Sequence, residues 1–473
     1  MSPARASRSI ALLWLLASSV PAVAGAADPT LGLADAARQA LDANLDLAAQ
    51  RRALAANREE IDLARSALLP QINLGARGEV LGDDRSNDGL GATTSESIAV
   101  GAEITQVLYD ETDWADFQIQ KHVYTGQTQR FEEFQLGVVQ AAANAFLELD
   151  RSHAVASIQE RNRELTARNL ETSRARIAAG WSSEREVLRW ESQLAENDTD
   201  VVAARTDVLV NRFELNRIRN QPVEAPLAPL VTGVEEYGFV YARKPIADAI
   251  ATPEGDSALR DLLVRVGLAR SPELAAIDAA IAAEERLLTS NERAFWVPSL
   301  NLDAGIDYLA ASGSGGPDLD FNDTQWSVGA GLTFPLVEGG AKFAALHQSR
   351  EFLSSLRIQR RAAAQTLDQG IRSAFAKASG SYANIGFTRR QEAAARKNFG
   401  LVNDSYRLGV ASILDLLDAQ AQLLDADLAV ADAVYNFLED LIAAERQIAL
   451  YPFLEPESEV AELLSQLEQA LQP

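Results

Sequence analysis

The chain contains no cysteine among its 473 residues. Disulfides, thiolate nucleophiles, zinc–thiolate sites and a lipid on an N-terminal cysteine are therefore all excluded. There is one methionine and there are three histidines, His122, His153 and His347, with no partners at metal-ligand spacing. No stretch after the N-terminus reaches the roughly 18 continuous apolar residues of a transmembrane helix. Basic charge is scarce as well: 43 Lys and Arg stand against 67 Asp and Glu, a net charge of -24. Such a surface repels phosphate backbones and argues against a nucleic-acid partner. Neither a nucleophile elbow nor a phosphate-binding loop occurs, and no catalytic residue, cofactor site or metal site is expected.

Proline is missing from two long stretches, between Pro70 and Pro222 and between Pro335 and Pro452. Helical periodicity fills much of both, from about 112 to 178 and from about 341 to 407, as in Phe131, Phe134, Val138, Ala142, Ala145 and Leu149. At 1.5 Å per residue such helices are on the order of 100 Å long, too long for a compact domain, so coiled-coil-like packing is implied.

The N-terminus has Arg5 and Arg8, an apolar run from Ile10 to Val20, and small residues around Ala24 and Ala26. These are the three parts of a secretory signal in order, which sets residues 1–26 apart as a cleaved export segment. The remainder repeats itself at a spacing of about 228 residues. LLPQINLGARGEV from Leu68 and SIAVGAEITQVLYD from Ser97 return as WVPSLNLDAGIDY from Trp296 and WSVGAGLTFPLVEG from Trp326. The period is too long for a solenoid, and divides the chain into two half-molecules, 27–221 and 257–450. The Pro-rich connector 222–256 joins them, and a tail, 451–473, closes the chain with a short amphipathic helix from Glu457 to Leu471.

Each half holds two strands, about 70–109 and about 298–337, between helices expected at about 31 to 67 and 258 to 294 and the long helices that follow. The strands alternate: Ile72, Leu74, Ala76 and Val80 oppose Gln71, Asn73, Arg77 and Glu79, and Leu300, Leu302, Ala304, Ile306 and Tyr308 oppose Asn301, Asp303 and Asp307. Their length suits a tilted bilayer crossing, and polar, glycine-rich loops separate them. Four strands cannot close a membrane barrel, and lipid forbids an open edge, so several subunits must share one barrel. An exported coiled-coil scaffold or adhesin with a soluble sheet is the alternative.

Each long helix ends in a similar turn, RIAAGWSSEREVL from Arg176 and YRLGVASILDLLDAQ from Tyr406. Gly180 and Gly409 supply the left-handed residue, and Ser183 and Ser412 are placed to cap the next helix in capping boxes with Glu186 and Asp415.

Together the duplicated halves, the Pro-led strands, the QVLYD and FPLVEGG exits and the YRLGVASILDLLDAQ turn resemble the TolC-like outer-membrane efflux proteins. The resemblance implies a mainly α fold with a transmembrane β portion. Four strands per subunit would join a twelve-stranded barrel in a homotrimer, continued by a periplasmic α-helical tunnel. It implies a passive exit duct for efflux or type I secretion, set in outer-membrane lipid. The partners it implies are a periplasmic adaptor and an inner-membrane transporter of the RND, ABC or MFS type. By the same resemblance, Asp415 and Asp418 line a periplasmic constriction, Glu186 links to Tyr406, and the turns at Gly180, Ser183, Gly409 and Ser412 form the adaptor-docking tip. Two positions depart from the family pattern: DETDW replaces a glycine pair at the first exit, and Ala411 stands where a relative has an arginine that helps tie the tunnel shut. Arg185 is a candidate replacement on charge complementarity.

Overall fold

The computed structural model describes residues 30–80, 96–178, 183–229, 253–312 and 323–456, with isolated helical positions at Ser458, Ala461 and Ser465. The expected signal peptide, both polar strand loops, Gly180, most of the connector and most of the tail helix lie outside the described residues. The chain runs β1 (Thr30–Leu31), α1 (Leu33–Ala43), α2 (Leu45–Ser66), β2 (Gln71–Val80), β3 (Glu96–Tyr109), α3 (Glu111–Ala178), α4 (Glu184–Ile218) and β4 (Ala228–Pro229). The second half follows with α5 (Pro253–Arg270), α6 (Pro272–Arg293), β5 (Ser299–Ser312), β6 (Thr324–Thr333), α7 (Ala341–Arg407) and α8 (Ile413–Gln447).

Helices α3 and α7, of 68 and 67 residues, are each on the order of 100 Å long. Each folds back on a 35-residue partner, α3 on α4 and α7 on α8, and α8 also packs on α3. The main core lies where α1 and α5 meet the long helices and gathers Leu33, Phe146, Leu149, Leu215, Leu263, Ile371, Leu438 and Leu441. A second core sits at the far end, around Leu170, Trp190, Tyr406, Ile413 and Leu416.

Two helices expected to be continuous are broken. Asn44 divides α1 from α2: its Oδ1 accepts the Leu47 N–H at 3.0 Å, and its Nδ2 donates to the Ile218 carbonyl at 2.9 Å, tying down the end of α4. In the second half Pro272 cannot donate into a helix arriving from α5, and the Ser271 hydroxyl caps the new one at Leu274 N. Helix α5 also starts within the expected connector, at Pro253, and β1 pairs in parallel with β4, a small contact the sequence did not announce.

The four long strands form one sheet in the order β2-β3-β5-β6, antiparallel throughout, so the two halves join across β3 and β5 while β2 and β6 remain open edges. The register keeps like faces together. Ile72 opposes Ile104, Ala102 opposes Ile306, and Ile306 opposes Trp326, while on the other face Asn73 opposes Glu103 and Asp307 opposes Gln325. Gly101 leaves room there for the Asp307 carboxylate, which a Cβ would displace, and a Cβ would also lie 3.2 Å from the Ile306 carbonyl oxygen.

The apolar face is bare: Leu74 is 83% exposed, Trp326 76%, Val328 65%. Water is a poor solvent for such a face and hydrocarbon a good one. Arginine at Ile306 or Val328 is therefore expected to cost about 2 to 4 kcal/mol of insertion energy at mid-bilayer depth. Asn301→Ala and Asp303→Ala, on the polar face, should leave insertion unchanged, as read by the yield of membrane-inserted oligomer.

Candidate gate at the helical tip

The sheet and the second core lie at opposite ends of α3 and α7. At the sheet end, the two strand-to-helix exits are built differently. Gly339 and Gly340 turn the second exit at φ +59 and +88. The first has no glycine: Asp110 Oδ1 accepts the N–H groups of Thr112 and Asp113 at 2.8 and 3.2 Å. Next to it the Glu111 carboxylate, 8% exposed, accepts from Tyr109 Oη at 2.5 Å, Arg286 Nη1 at 2.8 Å and Arg293 Nη1 at 3.2 Å. Burial pushes this carboxyl up, but the three hydrogen bonds outweigh it and hold its pKa below the ordinary value.

At the other end, α7 terminates as the sequence indicates. Gly409 has φ +79, its N–H reaches the Tyr406 carbonyl at 3.0 Å, and Val410 N–H reaches the Ser405 carbonyl at 2.9 Å, the paired bonds of a Schellman ending. Ser412 then opens α8 in a complete capping box: its hydroxyl accepts from Asp415 N at 3.3 Å and its own N–H donates to Asp415 Oδ2 at 2.9 Å. These bonds from Ser412 hold the Asp415 carboxyl below its usual range. The cap is thus intact at neutral pH and weakens only as pH falls through that lowered value.

The first turn departs from its expected capping box. Ser183 is the N-cap of α4, but its side chain makes no cap hydrogen bond. The Glu186 side chain is drawn elsewhere, and its Oε2 accepts the Tyr406 hydroxyl at 3.1 Å, across from α4 to α7. The sequence pattern could not separate these two uses of one carboxylate. Tyr406 is 2% exposed, within the cluster of Leu170, Trp190, Ile413 and Leu416.

Asp415 and Asp418 lie three residues apart on the exposed face of α8, turned away from Ile413, Leu416 and Ala419, which are buried. Asp418 accepts from Gln422 Nε2 at 2.8 Å. Arg185 is exposed on the first turn of α4; an arginine that reaches Tyr406 is Arg176 on α3, through its Nη1 to the Tyr406 carbonyl at 2.7 Å. Two turns along, a buried polar layer joins three helices. Gln420 Nε2 donates to Thr166 Oγ1 at 2.6 Å and to Asn162 Oδ1 at 2.8 Å, Asn169 donates to Gln420, and Asn197 donates to Thr166 at 2.7 Å. Sequence reasoning passed over this layer, although Asn162, Thr166 and Asn169 at helical spacing were its visible trace.

Comparison with known proteins places the chain. The family model described as outer membrane efflux protein matches residues 36–221 and 263–446. The chain belongs to the outer membrane efflux protein family. It is 26% identical over 419 residues to the outer membrane protein TolC of Vibrio cholerae, spanning 85% of this chain and 86% of the relative. The alkaline protease secretion protein AprF of Pseudomonas aeruginosa is 26% identical over 428 residues, 86% of this chain and 82% of that one. Crystal structures of CusC, which follow its folding and transmembrane channel formation, share the fold at a TM-score of 0.74 and 15% identity, over 91% of this chain and 96% of that one. The chain is thus an outer-membrane export protein, and among the described residues no helix is long and apolar enough to cross a membrane.

The two turns differ in a way that stability measurements can read. Ser412→Ala removes a capping hydroxyl and is expected to cost about 1 kcal/mol. Ser183→Ala, whose hydroxyl caps nothing, should shift the thermal unfolding of the purified protein far less.

Proposed function

We propose that three copies of this chain close a twelve-stranded barrel in the outer membrane and continue it as a helical tunnel across the periplasm. The observation that carries this reading is the sheet: four strands, an exposed apolar face and two edge strands, β2 and β6, without a further neighbour among the described residues. In lipid those edges must be satisfied by further strands, and three four-stranded sheets make a barrel of known size. Cargo passes through passively, without catalysis. A periplasmic adaptor and an inner-membrane transporter of the RND, ABC or MFS type complete the path. Small-molecule efflux is the first reading of the cargo; the likeness to an alkaline protease secretion protein favours a secreted polypeptide as the second.

In this reading the tips of α3–α4 and α7–α8 form the periplasmic constriction, and Asp415 and Asp418 contribute two stacked rings of carboxylates. Rings of one sign in a narrow pore favour counter-ions and are blocked by multivalent ones. The exposure of both side chains on one face of α8 supports the assignment. Reconstituted in planar bilayers, the Asp415→Asn, Asp418→Asn double variant is expected to conduct with reduced cation preference and to escape block by trivalent cations. Unchanged selectivity in that variant removes the rings from the account. A monodisperse monomer in detergent removes the shared barrel.

A further inference from the structure

Tyr406 is held from two sides, and only one of them was expected. Its hydroxyl donates to Glu186 on α4. From the other side Tyr406 meets Arg176, on the last turns of α3. The guanidinium carbon lies 4.5 Å from the centre of the tyrosine ring, and Nη1 donates to the Tyr406 carbonyl at 2.7 Å. That carbonyl belongs to the final turn of α7, where the helix dipole gathers partial negative charge and cations are stabilised. The same oxygen also accepts the Gly409 N–H, so Arg176 bonds directly to the group that forms the turn leading to Ser412 and Asp415. Gly409 stands beside it: a Cβ there would lie 3.9 Å from Arg176 Nη2. Among the described residues, Arg176 Nε is buried and has no hydrogen-bond partner.

We propose that Arg176 is a positioning residue for the gate, a latch by which the α3–α4 tip holds the end of α7, and with it the first turn of α8, in the closed arrangement. The proposal rests on the reading of the tips as the constriction. The chemistry suits the task. An arginine plane stacks on an aromatic ring while its edge donates to a carbonyl, a combination lysine cannot reproduce. The latch acts on backbone and ring; the Glu186 contact acts on the hydroxyl. The two are separable by substitution, and neither uses Ala411, the position from which a relative's arginine acts.

The test is conductance of the full-length protein in planar bilayers, with thermal stability of the assembled oligomer measured alongside. Loss of a charge-assisted hydrogen bond and its ring stacking should raise the open population of Arg176→Ala on the order of tenfold. Arg176→Lys, which keeps the cation near the helix end but not the planar stack, should fall between that and the parent. Tyr406→Phe cuts only the Glu186 bond, so its effect should add to that of Arg176→Ala, whereas Tyr406→Ala removes the hydroxyl and the ring but keeps the carbonyl that Arg176 reaches, so combined with Arg176→Ala it should fall short of the sum. Parent-like conductance in Arg176→Ala, while Tyr406→Phe or Glu186→Gln opens the pore, would overturn the latch and leave the gate in place. Parent-like conductance in all of them would instead overturn the gate at the tips. A fall in thermal stability with no rise in conductance marks Arg176 as a packing residue and also defeats the proposal. Should Arg176→Ala not assemble, Arg176→Lys decides: intermediate conductance supports the latch, and parent-like conductance refutes it.

Discussion

The unfinished sheet is the constraint from which the rest of the molecule follows. Among the described residues, strands β2 and β6 each leave a row of backbone N–H and C=O groups without a neighbouring strand, and the apolar face of the same sheet is exposed. In hydrocarbon every such unpaired group costs several kcal/mol, so the sheet is tenable only when neighbouring copies continue it. Because β3 and β5 join the two halves at the centre of the sheet, each half contributes one outer strand as an edge. In the proposed trimer, the duplication of the chain and the association of the subunits are two steps of the same closure.

Everything beyond the sheet has to be built as wall rather than as globule. A helix of 68 residues cannot bury itself in a domain, and α3 and α7 are accordingly half-exposed over most of their length. Burial is concentrated in two places, around Phe146, Leu149, Ile371 and Leu441 midway and around Trp190, Tyr406 and Leu416 at the tip. Between them the contacts of α3 with α4 and α8 include the hydrogen-bonded layer of Gln420, Thr166, Asn169 and Asn197. A satisfied polar layer adds less stability than an apolar one but fixes the register of the helices it joins. That is the requirement at a tip whose geometry has to be reproduced in every subunit.

Much of this was legible in the residues. Period-2 alternation placed the strands and their faces, helical periodicity within the proline-free stretches bounded α3 and α7 closely, and Gly409 with Ser412 and Asp415 gave the second turn in full. What escaped was decided by contacts between distant parts of the chain. Asn44 breaks a helix because its amide also reaches Ile218, 174 residues away. Ser183 followed by Glu186 has the spacing of a capping box, but Tyr406 offers the carboxylate a partner that no local pattern encodes. Arg176 comes to Tyr406 from another helix, a contact that no spacing along the chain encodes. Local spacing constrains local geometry, and the tip is assembled from four helices.

The two exits from the sheet give the assembly unequal joints. At the first, Glu111 is clasped by Tyr109, Arg286 and Arg293, so α3 is braced against α6 from its opening turn. At the second, Gly339 and Gly340 sit in the left-handed region with open space around them, and the tie is local: Lys342 Nζ donates to the Pro335 carbonyl at 2.5 Å and lies 4.0 Å from Glu338, so it closes the exit on itself rather than on another helix. Around the rim of a closed ring of three, stiff and compliant couplings would alternate. Torque arriving from the helical end would then be absorbed at three of the six, and the strands would keep their seat in the lipid while the wall beneath them turned.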